Sequence, residues 1–328
     1  MEFSVGATPL VELDLGIEPA VYGKVEWFNA ASADYGGGSV KTRIGKAMLD
    51  AAEAKGDLDD DPTLLEASSG NTGAAVARVG AERGYDVEIV MPDSAGRGKV
   101  EAVADAGAES SFVPRERGYD AFVTECRQRL RAHPDRYYHL DQYSNPANPA
   151  VHASTTGPEI WQSTDGEVTH FVAGAGTGGT VTGVSRALSD RGVAIHGYEP
   201  ADIDHEIAGL KHMSAPEKFV PETFEPDALD GRHIVRTEVA NEYVRLLRRR
   251  HADSPVPIRD TGQWSVDAIR EHLRVDGEFI VGPSSGGCAA LVERLTREGR
   301  IGPTDTVVIP LADRGDRYPE RDLWADVL

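Results

Sequence analysis

His170-Phe171-Val172-Ala173-Gly174-Ala175-Gly176-Thr177-Gly178-Gly179-Thr180 is the stretch whose reading decides the fold. Its first four residues read as a buried strand. Four glycines in the next six let a backbone approach a phosphate closely, and the helical pattern over 178–188 supplies an N-terminus to meet it. Strand, glycine loop and helix in that order are one repeat of a parallel α/β sheet. The same residues satisfy G-x-G-x-x-G at Gly174, Gly176 and Gly179, and Glu199 lies about 20 residues on. A dinucleotide site is therefore one reading of the stretch, and a phosphate-bearing cofactor of another kind is a second.

The pattern repeats outward from there. Branched apolar runs at 21–28, 63–67, 87–91, 111–113, 194–198, 278–281 and 306–311 read as strands. Amphipathic periodicity at 40–54, 72–83, 99–106, 119–131, 238–249, 265–273 and 286–297 reads as helices. This alternation predicts an α/β protein of two doubly wound domains with mainly parallel sheets. The segment Tyr143-Ser144-Asn145-Pro146-Ala147-Asn148-Pro149 breaks periodicity and marks a domain seam. We expect one domain over 40–145 and a larger one from 1–39 plus 146–328. Residues 201–232 carry three prolines and read as a long loop.

Composition narrows the function classes. The chain has 328 residues and a formal charge of −20, from 34 lysines and arginines against 54 carboxylates. Such a surface repels nucleic acid and anionic membranes, so neither is expected as a partner. Self-repulsion of this size is relieved at ~1 M salt, where the Debye length is ~3 Å, so adaptation to a salty, halophilic cytosol is expected. No apolar run approaches the ~20 residues of a membrane span, and the first residues carry neither a basic region nor an apolar core, so a cytoplasmic protein is expected. Two isolated cysteines, Cys126 and Cys288, suit neither a disulfide framework nor a thiolate zinc site, and no metal is expected.

Two further loops carry chemistry. Gly36-Gly37-Gly38-Ser39-Val40-Lys41-Thr42-Arg43 runs glycines into a helix and places Lys41 in its first turn. There the positive end of the helix dipole disfavours the ammonium, which suits an amine that forms a Schiff base. Ser68-Ser69-Gly70-Asn71-Thr72-Gly73 follows the strand at 63–67. Hydroxyls and backbone N–H groups at a helix start make an anion site suited to a carboxylate. Read singly, the first is also a surface lysine and the second also an N-cap in a tight turn.

The three loops in this order, with a lysine in the first, resemble the cysteine synthase family of fold-type II pyridoxal-phosphate enzymes, the tryptophan synthase β-like fold. Further matches are Thr8-Pro9-Leu10, Gly107-Ala108-Glu109, Gln142 with Asn145-Pro146-Ala147-Asn148, Thr156-Gly157-Pro158-Glu159-Ile160, Gly282-Pro283-Ser284-Ser285-Gly286 and Asp313-Arg314-Gly315-Asp316-Arg317-Tyr318. The resemblance implies pyridoxal 5'-phosphate held covalently by Lys41, which then takes the substrate α-proton. It implies that Asn71 bonds the ring 3′-oxygen, that Gly176, Thr177, Gly178, Gly179 and Thr180 cradle the phosphate, and that Ser284 faces the pyridine nitrogen. Ser68, Ser69, Gly70, Thr72 and Gln142 would hold the substrate carboxylate. A hydroxyl in place of a carboxylate beside the ring nitrogen leaves it largely unprotonated, which favours loss of a β-substituent over racemisation. The implied reaction is β-replacement on O-acetylserine or O-phosphoserine by sulfide, giving L-cysteine, in a homodimer.

The chain departs from the family in two places. Asn29 is followed by the longer stretch Ala30-Ala31-Ser32-Ala33-Asp34-Tyr35 before the glycines, and Thr42 stands where the family often has aspartate. Both bear on substrate choice. Within Ala208-Gly209-Leu210-Lys211-His212-Met213, Lys211 stands where some O-phosphoserine-using relatives carry an arginine, and could pair with a phosphate as a point charge. It also reads as a solvent-facing lysine on a mobile loop. Cystathionine β-synthase and serine or threonine dehydratase chemistry are alternatives on the same fold. A nicotinamide-dependent oxidoreductase built on Gly174–Gly179 with Glu199, and a non-catalytic partner protein of this fold, are alternatives of other classes.

Overall fold

The computed structural model describes residues 5–29, 38–68, 70–118, 120–214, 219–319 and 323. The chain divides into two compact units, Lys41–Asn148 and Met1–Val40 with Pro149–Leu328. In chain order the strands are β1 Leu10–Glu12, β2 Ala20–Val25, β3 Thr63–Ala67, β4 Val87–Pro92, β5 Glu109–Val113, β6 Tyr137–His139, β7 His170–Gly174, β8 Ala194–Pro200, β9 Gly231–Val235, β10 Ile258–Asp260 and β11 Thr306–Leu311. The helices are α1 Val40–Lys55, α2 Asn71–Glu82, α3 Arg97–Asp105, α4 Ala121–Ala132, α5 Ala147–Val151, α6 Gly157–Ser163, α7 Gly179–Leu188, α8 Thr237–Arg250, α9 Val266–His272 and α10 Pro283–Arg297.

The smaller unit holds a wholly parallel sheet in the order β5-β4-β3-β6. Leu64, Leu65, Ala67, Ile89, Val90 and Met91 are buried, as strands covered on both faces require. Helix α2 lies on β4 through two glycines seven residues apart. A Cβ on Gly73 would come within 2.8 Å of Ile89, and one on Gly80 within 2.6 Å of Val87. The chain winds outward from β3 through β4 to β5, then returns across to β6 on the other side. Strand order therefore reverses between β3 and β6.

The larger unit holds a seven-stranded sheet, β10-β1-β2-β11-β7-β8-β9, in which β2, β11, β7, β8 and β9 run parallel and β1 is antiparallel to both its neighbours. Here the winding goes outward through β7, β8 and β9, and β11 returns between β2 and β7. Helix α10 packs against α8 at a glycine, since a Cβ on Gly286 would lie 2.3 Å from the Ala240 carbonyl oxygen.

Four strands are absent from the sequence reading: β1, β6, β9 and β10. Three are only three residues long, and β9, Gly-Arg-His-Ile-Val, has only its last two residues apolar and leaves Ile234 exposed, so none forms an apolar run. The expected strand at 278–281 is not one. Phe279, Ile280 and Val281 are fully buried, but the backbone there makes isolated bridges and bonds to the irregular 313–315 segment. Residues 147–163 fold as α5, a π-helical turn at His152–Thr156, and α6, helices absent from the sequence reading. Pro149 and Pro158 sit in first turns, where a missing N–H costs nothing. Cys126 and Cys288 are both buried free thiols, and burial pushes the Cys288 thiol up to about 12. No helix among the described residues is long and apolar enough to cross a membrane.

Buried charge organises the β2 end of the larger unit. Lys24, 1% exposed, pairs with Glu159 at 2.9 Å and donates to the Thr8 carbonyl. The fully buried Glu26 accepts from Thr8 Oγ1 at 3.0 Å and from Asn29 Nδ2 at 2.7 Å. Residue 38 has room only for glycine, since a Cβ there would fall 2.3 Å from the Asn29 oxygen. Removing one partner of such a pair strands the other in low dielectric. Lys24→Met is therefore expected to lower stability by about 3–5 kcal/mol, and Glu159→Gln in the same chain to restore part of it, read by chemical denaturation.

His170, His196 and His233 line up across β7, β8 and β9. The first two rings stack at 5.7 Å between centroids, and His196 Nδ1 lies 3.3 Å from His233 Nε2. Burial lowers all three pKa values, to about 4 for His196 and His233, with further push from neighbouring imidazoles and arginines. Unfolding restores a pKa near 6.5, so the unfolded chain binds more protons between pH ~6.5 and ~4. Stability should be fully present above pH ~6.5 and fall as pH drops towards ~4. His196→Asn should flatten that slope in thermal melts taken across this window.

Candidate functional site

In open parallel sheets ligands bind beyond the carboxyl ends of the strands, where strand order reverses. In the smaller unit that point lies between β3 and β6, and the residues leaving those two strands are Ser68–Thr72 and Gln142. One chain of hydrogen bonds joins them. Thr72 Oγ1 donates to Gln142 Oε1 at 2.7 Å, and Gln142 Nε2 donates to the Ala67 carbonyl at 2.8 Å. Asn148 Nδ2 donates to the Gln142 carbonyl at 2.7 Å. Thr72 and Gln142 are both buried.

Ser68 serves this loop directly. Its Oγ accepts from the Gly70 amide at 3.1 Å and the Gly73 amide at 2.9 Å, so it caps the start of α2 from two residues upstream of Gly70. Gly70 is extended, and Lys99 lies alongside it: a Cβ on Gly70 would be 3.5 Å from Lys99 Nζ. Asn71 is the first residue of α2 and Lys41 the second of α1, half-buried. Ser69 and residues 30–37 lie outside the described residues.

In the larger unit the strand order reverses between β7 and β11, and both expected motifs emerge at that end. Residues 174–178 lead from β7 into α7. Gly178 caps α7 in the left-handed region at φ +80, and the Gly179 amide donates to Thr177 Oγ1 at 3.3 Å. A Cβ on Gly176 would lie 2.0 Å from the Gly209 oxygen, so the backbones touch there. Thr180 Oγ1 is 3.2 Å from His152 Nε2, whose Nδ1 is 2.9 Å from Thr156 Oγ1. Thr223 Oγ1 donates to the Thr177 carbonyl at 2.7 Å.

Ser284 stands in the first turn of α10, beside the end of β11: the Gly282 amide donates to the Asp313 carbonyl, and the Ala312 amide to Ser285 Oγ. Tyr198 links the two motifs. Its hydroxyl donates to the Ser284 carbonyl at 2.6 Å, and its own carbonyl accepts from the Ala175 amide at 2.8 Å. Residues 174–180 and Ser284 are thus held at one edge of one sheet.

Two expectations change. Lys211 does not face solvent: it is 4% exposed, its amide donates to the Ala175 carbonyl at 3.1 Å, and its ammonium lies 5.4 Å from the Phe219 ring centroid. Glu199 does not wait for a ribose. Its carboxylate accepts from the Met213 amide, from the Ser214 amide at 2.9 Å and from the Ser214 hydroxyl, so it is committed to the 209–214 loop. That removes the acidic arm of the dinucleotide reading. His212 Nδ1 is bound to the Pro200 carbonyl, a loop contact.

The sequence reading missed His152, Thr223, Tyr198 and Lys99. None belongs to a loop motif; each reaches a loop from another element, so only spatial pairing reveals it. The residues present fit a pyridoxal phosphate. An amine stands at the start of α1. At the start of α7 a left-handed glycine turn brings amides and the Thr177 and Thr180 hydroxyls together, a neutral donor set of the kind that holds a phosphate. Ser284 offers a hydroxyl in the first turn of α10.

Comparison with known proteins agrees. The family model described as pyridoxal-phosphate dependent enzyme matches residues 1–313. The cysteine synthase of Aquifex aeolicus is 34% identical over 334 residues, covering 98% of this chain and 91% of the relative. Cysteine synthase B of Escherichia coli is 34% identical over 325 residues, covering 97% and 93%. Among solved structures, O-ureido-L-serine synthase superposes with a TM-score of 0.79 at 28% identity, covering 99% of this chain and 94% of that one. With fold, cofactor family and near full-length relatives in agreement, the chain belongs to the cysteine synthase family of pyridoxal-phosphate-dependent enzymes.

Proposed function

We propose that the chain makes L-cysteine by β-replacement, breaking the Cβ–O bond of O-acetylserine or O-phosphoserine and forming a Cβ–S bond with sulfide. The observation that carries this reading is the Thr72–Gln142–Ala67 hydrogen-bond chain at the end of β3, which gathers these polar side chains at the start of α2, where backbone amides can meet a carboxylate. The names of the curated relatives support cysteine as product.

In this reading Thr72 and Gln142 turn their donors to the substrate carboxylate, together with the N-terminal amides of α2. Gly70 and Ser68 hold the loop in shape, and Ser69 completes it. Asn71 donates its amide to the ring 3′-oxygen. Lys41 carries the cofactor on its amine, then takes the proton from Cα. Gly176 through Thr180 hold the phosphate, and Ser284 gives the ring nitrogen a hydroxyl, which withholds the proton a carboxylate would share. When bound, pyridoxal phosphate supplies the electron sink for the charge left on Cα. Acetate or phosphate leaves with the bonding pair, and sulfide returns one to the same carbon.

Lys211 bears on the leaving group. A buried lysine whose main chain is bonded to the glycine loop favours a donor that carries phosphate, because a charge pair there forms in low dielectric. The likeness to O-ureido-L-serine synthase keeps nucleophiles other than sulfide in play on this fold. A homodimer working in a salty cytosol completes the reading, on the family resemblance and the −20 charge.

Lys41→Ala should abolish the visible absorbance of the lysine-bound cofactor and lower turnover by at least ~10³-fold. Unchanged absorbance and turnover would reject the lysine. In the wild-type enzyme, O-acetylserine or O-phosphoserine should shift that band and sulfide should restore it; pyruvate released from serine, or a product formed only with homocysteine, would reassign the chemistry. Lys211→Met should raise KM for O-phosphoserine about tenfold or more, the worth of one charge-assisted bond, and leave O-acetylserine within about twofold.

A further inference from the structure

Five acidic side chains are buried among the described residues: Glu26, Glu66, Glu88, Glu199 and Asp313. Four of them accept hydrogen bonds. Glu88, on the strand beside Glu66, takes three partners: Arg129, Ser111 Oγ at 2.9 Å and the Tyr137 hydroxyl at 2.7 Å. Glu26, Glu199 and Asp313 are bonded by Asn29, Ser214 and Tyr318 respectively. Glu66 differs. It is 0% exposed, in the middle strand β3, and neither of its oxygens has a hydrogen-bond partner.

Burial, reinforced by the nearby Asp141 charge, pushes its pKa well above the carboxylate range. The groups that draw it the other way are the main-chain and side-chain amides of Gln142 and the Ala67 main chain, which approach without completing a bond. These are the residues that tie β3 to α2. An apolar side chain would fill this space at less cost, since a buried polar group without a partner is destabilising.

We propose that Glu66 is a positioning residue: its carboxyl group backs Gln142 and holds that amide in the orientation that joins Ala67 to Thr72. The inference rests on the proposed function in so far as Thr72 and Gln142 are ligands of the substrate carboxylate. The acid acts through Gln142 and does not touch substrate. Its value is neutral polarity at fixed reach, so a neutral group of the same shape should replace it and an apolar or shorter one should not.

The test compares holoenzymes of the wild type, Glu66→Gln, Glu66→Leu and Glu66→Asp. Amide hydrogen exchange in peptides covering 66–73 and 140–143 needs no substrate. Exchange there should quicken about tenfold in Glu66→Leu and measurably in Glu66→Asp, with cofactor absorbance unchanged, and stay near wild type in Glu66→Gln. KM for the amino-acid donor should rise about tenfold in Glu66→Leu with kcat within about threefold, and Gln142→Ala should add nothing further in the double variant. If Glu66→Leu does not fold, Glu66→Asp and Glu66→Gln decide by the same readouts. Wild-type protection in Glu66→Asp, or equal loosening in Glu66→Gln and Glu66→Leu, would overturn the proposal. A wild-type holoenzyme that answers to no amino acid would instead overturn the proposed function, and the exchange data would still judge Glu66.

Discussion

A parallel sheet leaves its backbone without ladder partners at the carboxyl end of every strand, and the protein must supply them from elsewhere. In the smaller unit Gln142 does this for β3: it satisfies the Ala67 carbonyl with one end of its amide and the Thr72 hydroxyl with the other. The loop after β3 has its shape because of that clamp, reinforced by Ser68 Oγ on two amides. In the larger unit Tyr198 plays the corresponding part, joining the loop after β7 to the first turn of α10. Both clamps sit where strand order reverses. The groups that finish the fold are thus the same groups that stand ready for a ligand.

The glycines obey the fold before they obey any ligand. Gly176 meets the Gly209 carbonyl, Gly178 meets Phe224, and Gly183 meets the Pro149 oxygen at 2.3 Å. A pattern set by such packing reads the same whether a dinucleotide or another phosphate is bound, which is why G-x-G-x-x-G left two cofactors open. The deciding residue lies outside the motif. Glu199 spends its carboxylate on Met213 and Ser214, and so is not free to take a ribose.

Legibility in the sequence follows the same division. Strands buried on both faces, such as β3 and β11, are continuous apolar runs, and their bounds at 63–67 and 306–311 match. Short edge strands bury one face or none and leave no run to read. The 278–281 run shows the converse: burial without pairing looks like a strand. Lys41, Asn71, Thr72, Gln142, Thr177 and Ser284 stand in motifs that the sequence alone displays. His152, Tyr198 and Thr223 were not, because each contributes one side chain to a loop 28 or more residues away. The burial of Lys211 was equally hidden, since nothing local distinguishes a lysine tucked under a loop from one in solvent.

A chain of charge −20 that takes up a carboxylate and a phosphate faces its own field. At physiological ionic strength, charges beyond about 8 Å are largely screened, so the contest is decided within that radius. At the strand ends of each unit the donors are mostly neutral: backbone amides at the start of α2 with the Thr72 hydroxyl in one, and at the start of α7 with the Thr177 and Thr180 hydroxyls in the other. Cations are few, and Lys41, Lys99 and Lys211 account for three of the chain's seven lysines. The acids near these loops are held out of the contest in two ways. Glu199 is engaged by its own donors, and Glu66 is buried too deeply to ionise readily. Surface acidity faces the solvent, while these two buried acids are committed to the fold.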